Sequence, residues 1–452
     1  MTGTVAQALA GKVCALAASD LPDPVRKTCQ NLLIDVAGLC VAARNSSYVL
    51  SLTQSLDPGG ACTALGHAET YSAEGAAMLN GTAAHGEDFD DSFEGGPVHS
   101  GAVVVPAVLA ACERFGCNGE RALLGIAAGV EAMCRLSLVA PKRIHNAGFH
   151  PTAVLGAIAS TLSVAKTLGL NEGQTADALG IAGSMASGII EYLADGSWTK
   201  RLHAGWAAHS GLHAARMAKE GFVGPNTVLE GEHGLFSGFA GSADGNYSEL
   251  VNSFGADWHM TRLTFKPYAT GTMNQPYVDC ALRLAAKGFA TEEVAEVLCE
   301  TAEGYLHRLW EPLAAKQRPP NGYAAKFSAP FNVAVAFVTG GAGLEAFGER
   351  TVIDPRIRAL AAKVRYAVDP RNPYPAAYTG HVRMTLRDGR VFEERQPHIR
   401  GGVHEPLSRA EIERKFRGNA AWGGWPAPLA EEFLAFAADA FRGPLDLAGF
   451  RR

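Results

Sequence analysis

The sequence predicts a mostly α protein: a large all-helical domain joined to a smaller α+β domain. Three observations predict it. Apolar residues recur at helical spacing through about the first 240 residues. The pattern changes near Leu263, beyond which segments alternate apolar and polar residues. After Pro406-Leu407 the helical spacing returns. The expected boundaries are 1–262 for the helical domain, completed by 405–452, and 263–404 for the α+β domain.

Each element has a local reason. Pro22-Asp23-Pro24 precedes a run in which Leu32, Leu33, Val36 and Leu39 fall at helical spacing, and proline near a helix start removes only an N–H that would lack a partner there. Further helical runs are 102–115, 121–136, 152–168, 174–193 and 206–219. They are rich in Ala, Gly and Ser, as in the stretch 180–188, so their axes can approach closely and they belong in a core. Gly116, Gly169 and Gly221 fit helix ends, where left-handed backbone costs glycine nothing. In the α+β domain 293–303 is read as a strand and 326–338 as a helix. Residues 381–386 alternate, Asp388-Gly389 turns the chain, and Val391-Phe392 continues, which is a hairpin signal. Ser408 with Glu411 reads as a capping box opening the last helices.

Composition bounds the function. The chain has 452 residues, 47% hydrophobic and 19% charged, so it can bury a substantial core. Forty basic against 45 acidic residues give a net charge of -5, which argues against a dedicated nucleic-acid binder. An anionic ligand must then be held by local cations. Nine scattered cysteines without a CxxC pair read as reduced thiols of a cytoplasmic protein. No secretory signal is expected, and no apolar run is expected to approach the roughly 20 residues that span a bilayer.

Four clusters can carry chemistry. The densest is His85-Gly-Glu-Asp88-Phe-Asp-Asp91-Ser92, followed by His99-Ser-Gly101 at the start of an apolar helix. Its bland reading is a solvated acidic loop or a helix cap; its functional reading is an acid/base pair near a helix N-terminus. The second delivers His150 to Pro151 through the glycine-containing loop 145–149. The third is 195–203, with Lys200 and His203, and the fourth is Thr264-Phe-Lys266-Pro-Tyr268 at the change of domain character. No GxSxG, P-loop, HExxH or dinucleotide fingerprint accompanies them. Carboxylate, imidazole and ammonium groups alone suit proton abstraction next to a carboxylate, β-elimination of water, or decarboxylation.

These residues resemble the MmgE/PrpD family. The resemblance rests on Asn80-Gly81 through Asp88-Phe-Asp-Asp91, on His99-Ser-Gly101 with Pro106, and on Gly148-Phe-His150-Pro151. It extends to Thr199-Lys200 with His203 and Gly205, to Phe265-Lys266-Pro267-Tyr268, to Ala325-Lys-Phe-Ser328, and to Pro406-Leu-Ser408 with Lys415-Phe416. The family includes 2-methylcitrate dehydratase, cis-aconitate decarboxylase and iminodisuccinate epimerase. The resemblance implies a helical domain with an α+β lid domain, a homodimer, no cofactor and no metal, and a small polycarboxylate as substrate. It implies Asp88, His99 and His150 as catalytic residues and Ser92, Lys200, Lys266 and Gln275 as substrate-binding residues. Two departures stand out. The stretch after Tyr268 lacks the family's histidine and carries Gln275, and Phe331 stands where cis-aconitate decarboxylases have tyrosine.

The expected function is a cofactor-independent lyase or isomerase of 2-methylcitrate dehydratase type. Lys200, Lys266 and His150 would pair with substrate carboxylates while His99, oriented by Asp88, moves a proton. Decarboxylation or epimerisation is the alternative within the family. Outside it stand a non-catalytic helical binding or dimerisation protein, and a Mg²⁺-dependent helical enzyme using the Asp88–Asp91 run.

Overall fold

The computed structural model describes residues 3–96 and 98–452. Backbone contacts divide the chain into two compact units. The first comprises the chain up to Gly86, Asp90–Leu263 and Arg409–Arg452. The second comprises Glu87–Phe89 and Thr264–Ser408.

The first unit is helical. Its centre is the Pro151–Leu168 helix, which packs on Gly101–Phe115, Gly119–Val139, Glu172–Met185 and Thr199–Lys219. Pro151 opens that helix, and Gly169 closes it in left-handed backbone with φ +70°. Small residues set the spacing of the helices. A Cβ on Gly205 would lie 2.1 Å from the Met78 carbonyl, and one on Gly81 would lie 2.8 Å from the Gly205 Cα. The Ala73–His85 and Thr199–Lys219 helices therefore cross with their backbones in contact. The Ser160 hydroxyl adds a hydrogen bond across helices to the Ala207 carbonyl at 2.7 Å. The closing Arg409–Trp422 helix begins directly after Ser408 and packs on Asp23–Ala43.

Two sequence expectations need correction here. Gly119–Val139 and Pro151–Leu168 are each long and apolar enough to cross a membrane, with mean hydropathy 1.7 and 1.2. Interspersed Gly, Ser and Thr disguise their apolar character in the sequence. In both, 89% of the apolar stretch is buried inside the fold, so it serves helix packing. The run expected over 174–193 is also not one helix. It ends at Met185, and a short turn follows at Tyr192–Asp195. Between them the His150 N–H donates to the Gly188 carbonyl at 2.8 Å, and the Ile190 N–H to the Gly148 carbonyl at 3.0 Å. Those bonds draw the chain out of the helix and tie it to the His150 loop.

The second unit is built on a four-stranded sheet in the order Val364–Val368, Val294–Thr301, Gly380–Leu386, Val391–Gln396. The first pair is parallel and the others antiparallel, with Cys299 opposite Val382 and Met384 opposite Phe392. Val294, Val297, Val382, Met384 and Leu386 are buried, and the Gln275–Ala285 helix packs on the last two strands. The Asp388-Gly389 turn is present, with Gly389 at φ +89°. The helix expected to begin at Lys326 begins at Ala329 instead. There the Ser328 hydroxyl accepts from the Phe331 N–H at 3.1 Å, and Pro330 occupies the first turn.

Candidate active site

The site is assembled around one short stretch of chain. The Ala73–His85 helix ends at His85, and the Gly101–Phe115 helix begins just after His99. Asp91 anchors that beginning. Its carboxylate accepts from the Gly101 N–H at 2.9 Å, the Ser100 N–H at 3.2 Å and the Ser100 hydroxyl at 3.1 Å. Gly101 is required there, since a Cβ would fall 2.3 Å from an Asp91 oxygen. Burial and the neighbouring Asp90 charge push the Asp91 carboxyl up to about 6.

The backbone of Asp91 sets the chemistry of His99. The His99 Nδ1 lies 2.7 Å from the Asp91 carbonyl oxygen. A carbonyl only accepts, so Nδ1 carries the proton, and in the neutral ring Nε2 is the basic nitrogen. The Asp90 carboxylate stands 3.4 Å from the same Nδ1 and 2.6 Å from the His85 Nδ1. Burial alone would raise Asp90, but the His99 and His85 imidazoles outweigh it and hold the carboxyl well below its ordinary range. Asp90 is thus an ionised, fully buried group between two imidazoles.

The imidazoles continue inward. The His85 ring lies 4.9 Å from His99 and stacks on His150 at 5.6 Å. His150 Nδ1 meets His203 Nδ1 at 3.1 Å, and Tyr192 packs edge-on against both rings. Lys200 lies one helical turn before His203 on the Thr199–Lys219 helix and is buried. Burial pushes His150 well below the ordinary histidine range, with the charges of His85, His203 and Lys200 adding to it. Burial likewise lowers His203 to about 4 and depresses His85. Two of the four rings, His150 and His203, are therefore neutral hydrogen-bonding groups at neutral pH, and Lys200 is the cation. His150, expected to pair with a substrate carboxylate, could do so only as a neutral N–H donor, because burial removes its charge. Beyond His203 and Tyr192 lies a cavity of about 610 Å³, which those two residues help to line.

The residues expected from sequence fall into two groups. His99, His150, Lys200 and Ser92 are in the first unit. Ser92 is buried and its hydroxyl has no hydrogen-bond partner among the described residues. Asp88, Lys266 and Gln275 are in the second unit. Lys266, buried, donates to the Asp88 carbonyl at 3.0 Å. Gln275 donates from Nε2 to the carbonyls of Tyr268 at 3.0 Å and Thr270 at 2.9 Å, which leaves its Oε1 as a buried acceptor with no partner among the described residues. Lys326 holds the same 87–89 segment, at 2.6 Å from the Glu87 carbonyl and 2.5 Å from its carboxylate.

The carboxylate of Asp90 stands against His99, where the sequence reading singled out Asp88. A run of acids does not reveal which of them turns inward. Here Asp88 has left-handed backbone, φ +53°, and the chain turns there. Residues 87–89 join the second unit while Asp90 returns to the first. The solvated-loop reading also fails, because Asp88, Asp90 and Asp91 are all buried. Sequence reasoning missed His85 and Asp90 as individual contributors, although both lie in the cluster it singled out. The Mg²⁺ reading needed several carboxylates of the run together. Among the described residues the one set of metal-ligating groups is instead His85, Asp90 and His99, within 4.8 Å of one another. Both Nδ1 atoms in that set already sit at hydrogen-bond distance from acceptor oxygens. The geometry fits protons between these groups.

A buried acid–imidazole network beside a lysine, with a basic ring nitrogen left over, can transfer protons. Family comparison gives it a lineage. Residues 7–248 match the MmgE/PrpD N-terminal domain and residues 268–426 the MmgE/PrpD C-terminal domain. The chain belongs to the MmgE/PrpD family. It is 28% identical to a cis-aconitate decarboxylase of Aspergillus terreus, over 89% of this chain and 86% of that protein. It is 30% identical to the Homo sapiens cis-aconitate decarboxylase, over 76% of this chain and 72% of that protein. It is 25% identical to the mitochondrial 2-methylcitrate dehydratase of Yarrowia lipolytica, over 62% of this chain and 56% of that protein.

Proposed function

We propose that this chain is a lyase that acts on a small di- or tricarboxylic acid by moving a proton at the carbon next to a carboxylate. The observation that carries the reading is the pinned tautomer of His99: its Nδ1 is held by the Asp91 carbonyl at 2.7 Å and faces the ionised Asp90 at 3.4 Å. Nε2 is then a base whose protonated form Asp90 stabilises, as the carboxylate partner of a catalytic histidine does. Lys200 supplies the charge that holds a substrate carboxylate and the negative charge that develops beside it. The relatives named above, two of them decarboxylases and one a dehydratase, support the lyase class.

In a dehydration, His99 Nε2 removes the proton, the C–H electrons form the double bond, and hydroxide leaves as water with a proton from an acid. The protonated His99 supplies that proton in this reading, and neutral His150 donates a hydrogen bond to the leaving hydroxyl. In a decarboxylation, the C–C bond breaks, carbon dioxide leaves, and His99 returns a proton to the carbanion. One group serves both directions. We assign Asp88, Lys266 and Gln275 to the same reaction because they stand at positions that the family resemblance implies; Lys266 donates to the Asp88 carbonyl at 3.0 Å. Gln275 would offer its carbonyl oxygen to a donor on the substrate. The second unit would act as a lid.

The test is incubation of the full chain with 2-methylcitrate, cis-aconitate, and citrate-, malate- and succinate-like acids in deuterated water. Water loss, carbon dioxide release, or deuterium entering at carbon is expected for at least one acid, and its loss in His99→Ala. Silence across the panel would leave a binding or dimerisation protein as the surviving reading.

A further inference from the structure

Away from the acid–imidazole network, the far end of the Gly101–Phe115 helix brings two cysteines together. Gly116 takes left-handed backbone, φ +66°, and its N–H donates to the Cys112 carbonyl. The Cys117 N–H also donates to that carbonyl, at 3.1 Å. The bond from Cys117 is the 6→1 bond of a Schellman closure, which is frequently accompanied by a contact between the residue after the glycine and the residue whose carbonyl receives that bond. Here both of those residues are cysteines. With an N···O distance of 3.1 Å, standard bond lengths keep their Cα atoms within about 7 Å, the upper end of what a disulfide spans.

The two thiols differ in character. Cys112 is buried, at 1% exposure, and Cys117 is partly exposed. The neighbouring Cys112 thiol lowers Cys117 to about 7, with the Arg121 charge assisting against a burial penalty, while the Cys117 Sγ lies 3.6 Å from the Thr167 carbonyl. The buried Cys29, Cys40, Cys62, Cys134, Cys280 and Cys299 are all pushed up by burial.

We propose that Cys112 and Cys117 form a redox-active dithiol that a hydroperoxide closes to a disulfide. The Cys117 thiolate attacks a peroxide oxygen, the O–O bond breaks, and Cys117 becomes a sulfenic acid while hydroxide leaves and takes up a proton. The Cys112 sulfur then attacks the Cys117 sulfur, the S–O bond breaks, and a second water leaves with the Cys112 proton. The pair of thiols loses two electrons and hydrogen peroxide gains them. The dithiol does not depend on the proposed lyase activity. Cys112 lies thirteen residues beyond His99, about 20 Å along the helix.

The test treats the native full chain with a small excess of hydrogen peroxide, alkylates the remaining thiols after unfolding, and maps them by mass spectrometry. Cys112 and Cys117 are expected to escape alkylation together, joined in one cross-linked peptide, and dithiothreitol is expected to restore both. Cys112→Ser is expected to leave Cys117 as a sulfenic acid that dimedone labels. Cys117→Ser is expected to slow oxidation of residue 112 at least roughly tenfold without changing turnover. Both cysteines remaining alkylated in the unmodified chain would overturn the proposal, and that measurement needs no variant to fold. Equal oxidation of Cys112 in Cys117→Ser would overturn the order of attack.

Discussion

Asp90→Asn is the perturbation that isolates the network's electrostatics. Asparagine keeps the shape of the side chain and removes its charge. In the native chain that charge stands 3.4 Å from His99 Nδ1 and is fully buried. Two unit charges at that distance attract by about 5 kcal/mol at an effective dielectric of about 20. Both charges are delocalised, and the Asp91 carbonyl still holds the ring, so about half of this should be lost. A loss of about 2.5 kcal/mol in stabilising the protonated imidazole is roughly a hundredfold in rate. The assay is steady-state turnover of whichever acid the panel identifies, with folding checked by circular dichroism. The expected result is kcat down roughly a hundredfold and KM within about threefold, because Asp90 acts on the reacting imidazole and not on the substrate. A folded variant with kcat within about threefold of the parent would refute the reasoning, and the pairing of Asp90 with His99 would then be structural only.

Four further outcomes follow from the same geometry. His99→Ala should lower turnover by roughly 10²–10⁴, and a rate near that of the parent would remove His99 from proton transfer. Lys200→Ala should chiefly raise KM, by roughly 10–100-fold for a charge-assisted bond of 1.5–3 kcal/mol; unchanged binding and turnover would exclude it as the carboxylate anchor. Gly205→Ala would set a Cβ 2.1 Å from the Met78 carbonyl and should cost roughly 3 kcal/mol of stability, read as a shifted denaturant midpoint. A parental midpoint would contradict the helix crossing. Stability should also fall in acid. His203 is lowered to about 4 in the folded chain, so the unfolded state binds more protons between about pH 6.5 and 4, and about 3 kcal/mol is lost as pH falls through that window. His85 and His150 are lowered too and act in the same direction, while Asp91, raised to about 6, opposes them. The thermal midpoint should drop between pH 7 and 4.5, and His203→Asn should flatten the slope; an unaltered slope would argue against burial of neutral His203.

Much of this protein is legible in one dimension because it depends on local periodicity. The Pro151–Leu168 helix announces itself by a proline at its first turn and a glycine at its end, both of which act on their own backbone. The hairpin through Asp388-Gly389 is likewise local. The candidate site shows itself as clusters of His, Asp and Lys in stretches that break the helical pattern. What tertiary structure decided is which members face one another and what charge they carry. Asp90 meets His99, and an acidic run looks the same whichever carboxylate turns in. His150 is neutral because it is surrounded by other rings and a lysine drawn from helices far apart in sequence. Residue types and helix ends are properties of neighbours along the chain, whereas desolvation and Coulomb interactions depend on neighbours in space, and only folding supplies those.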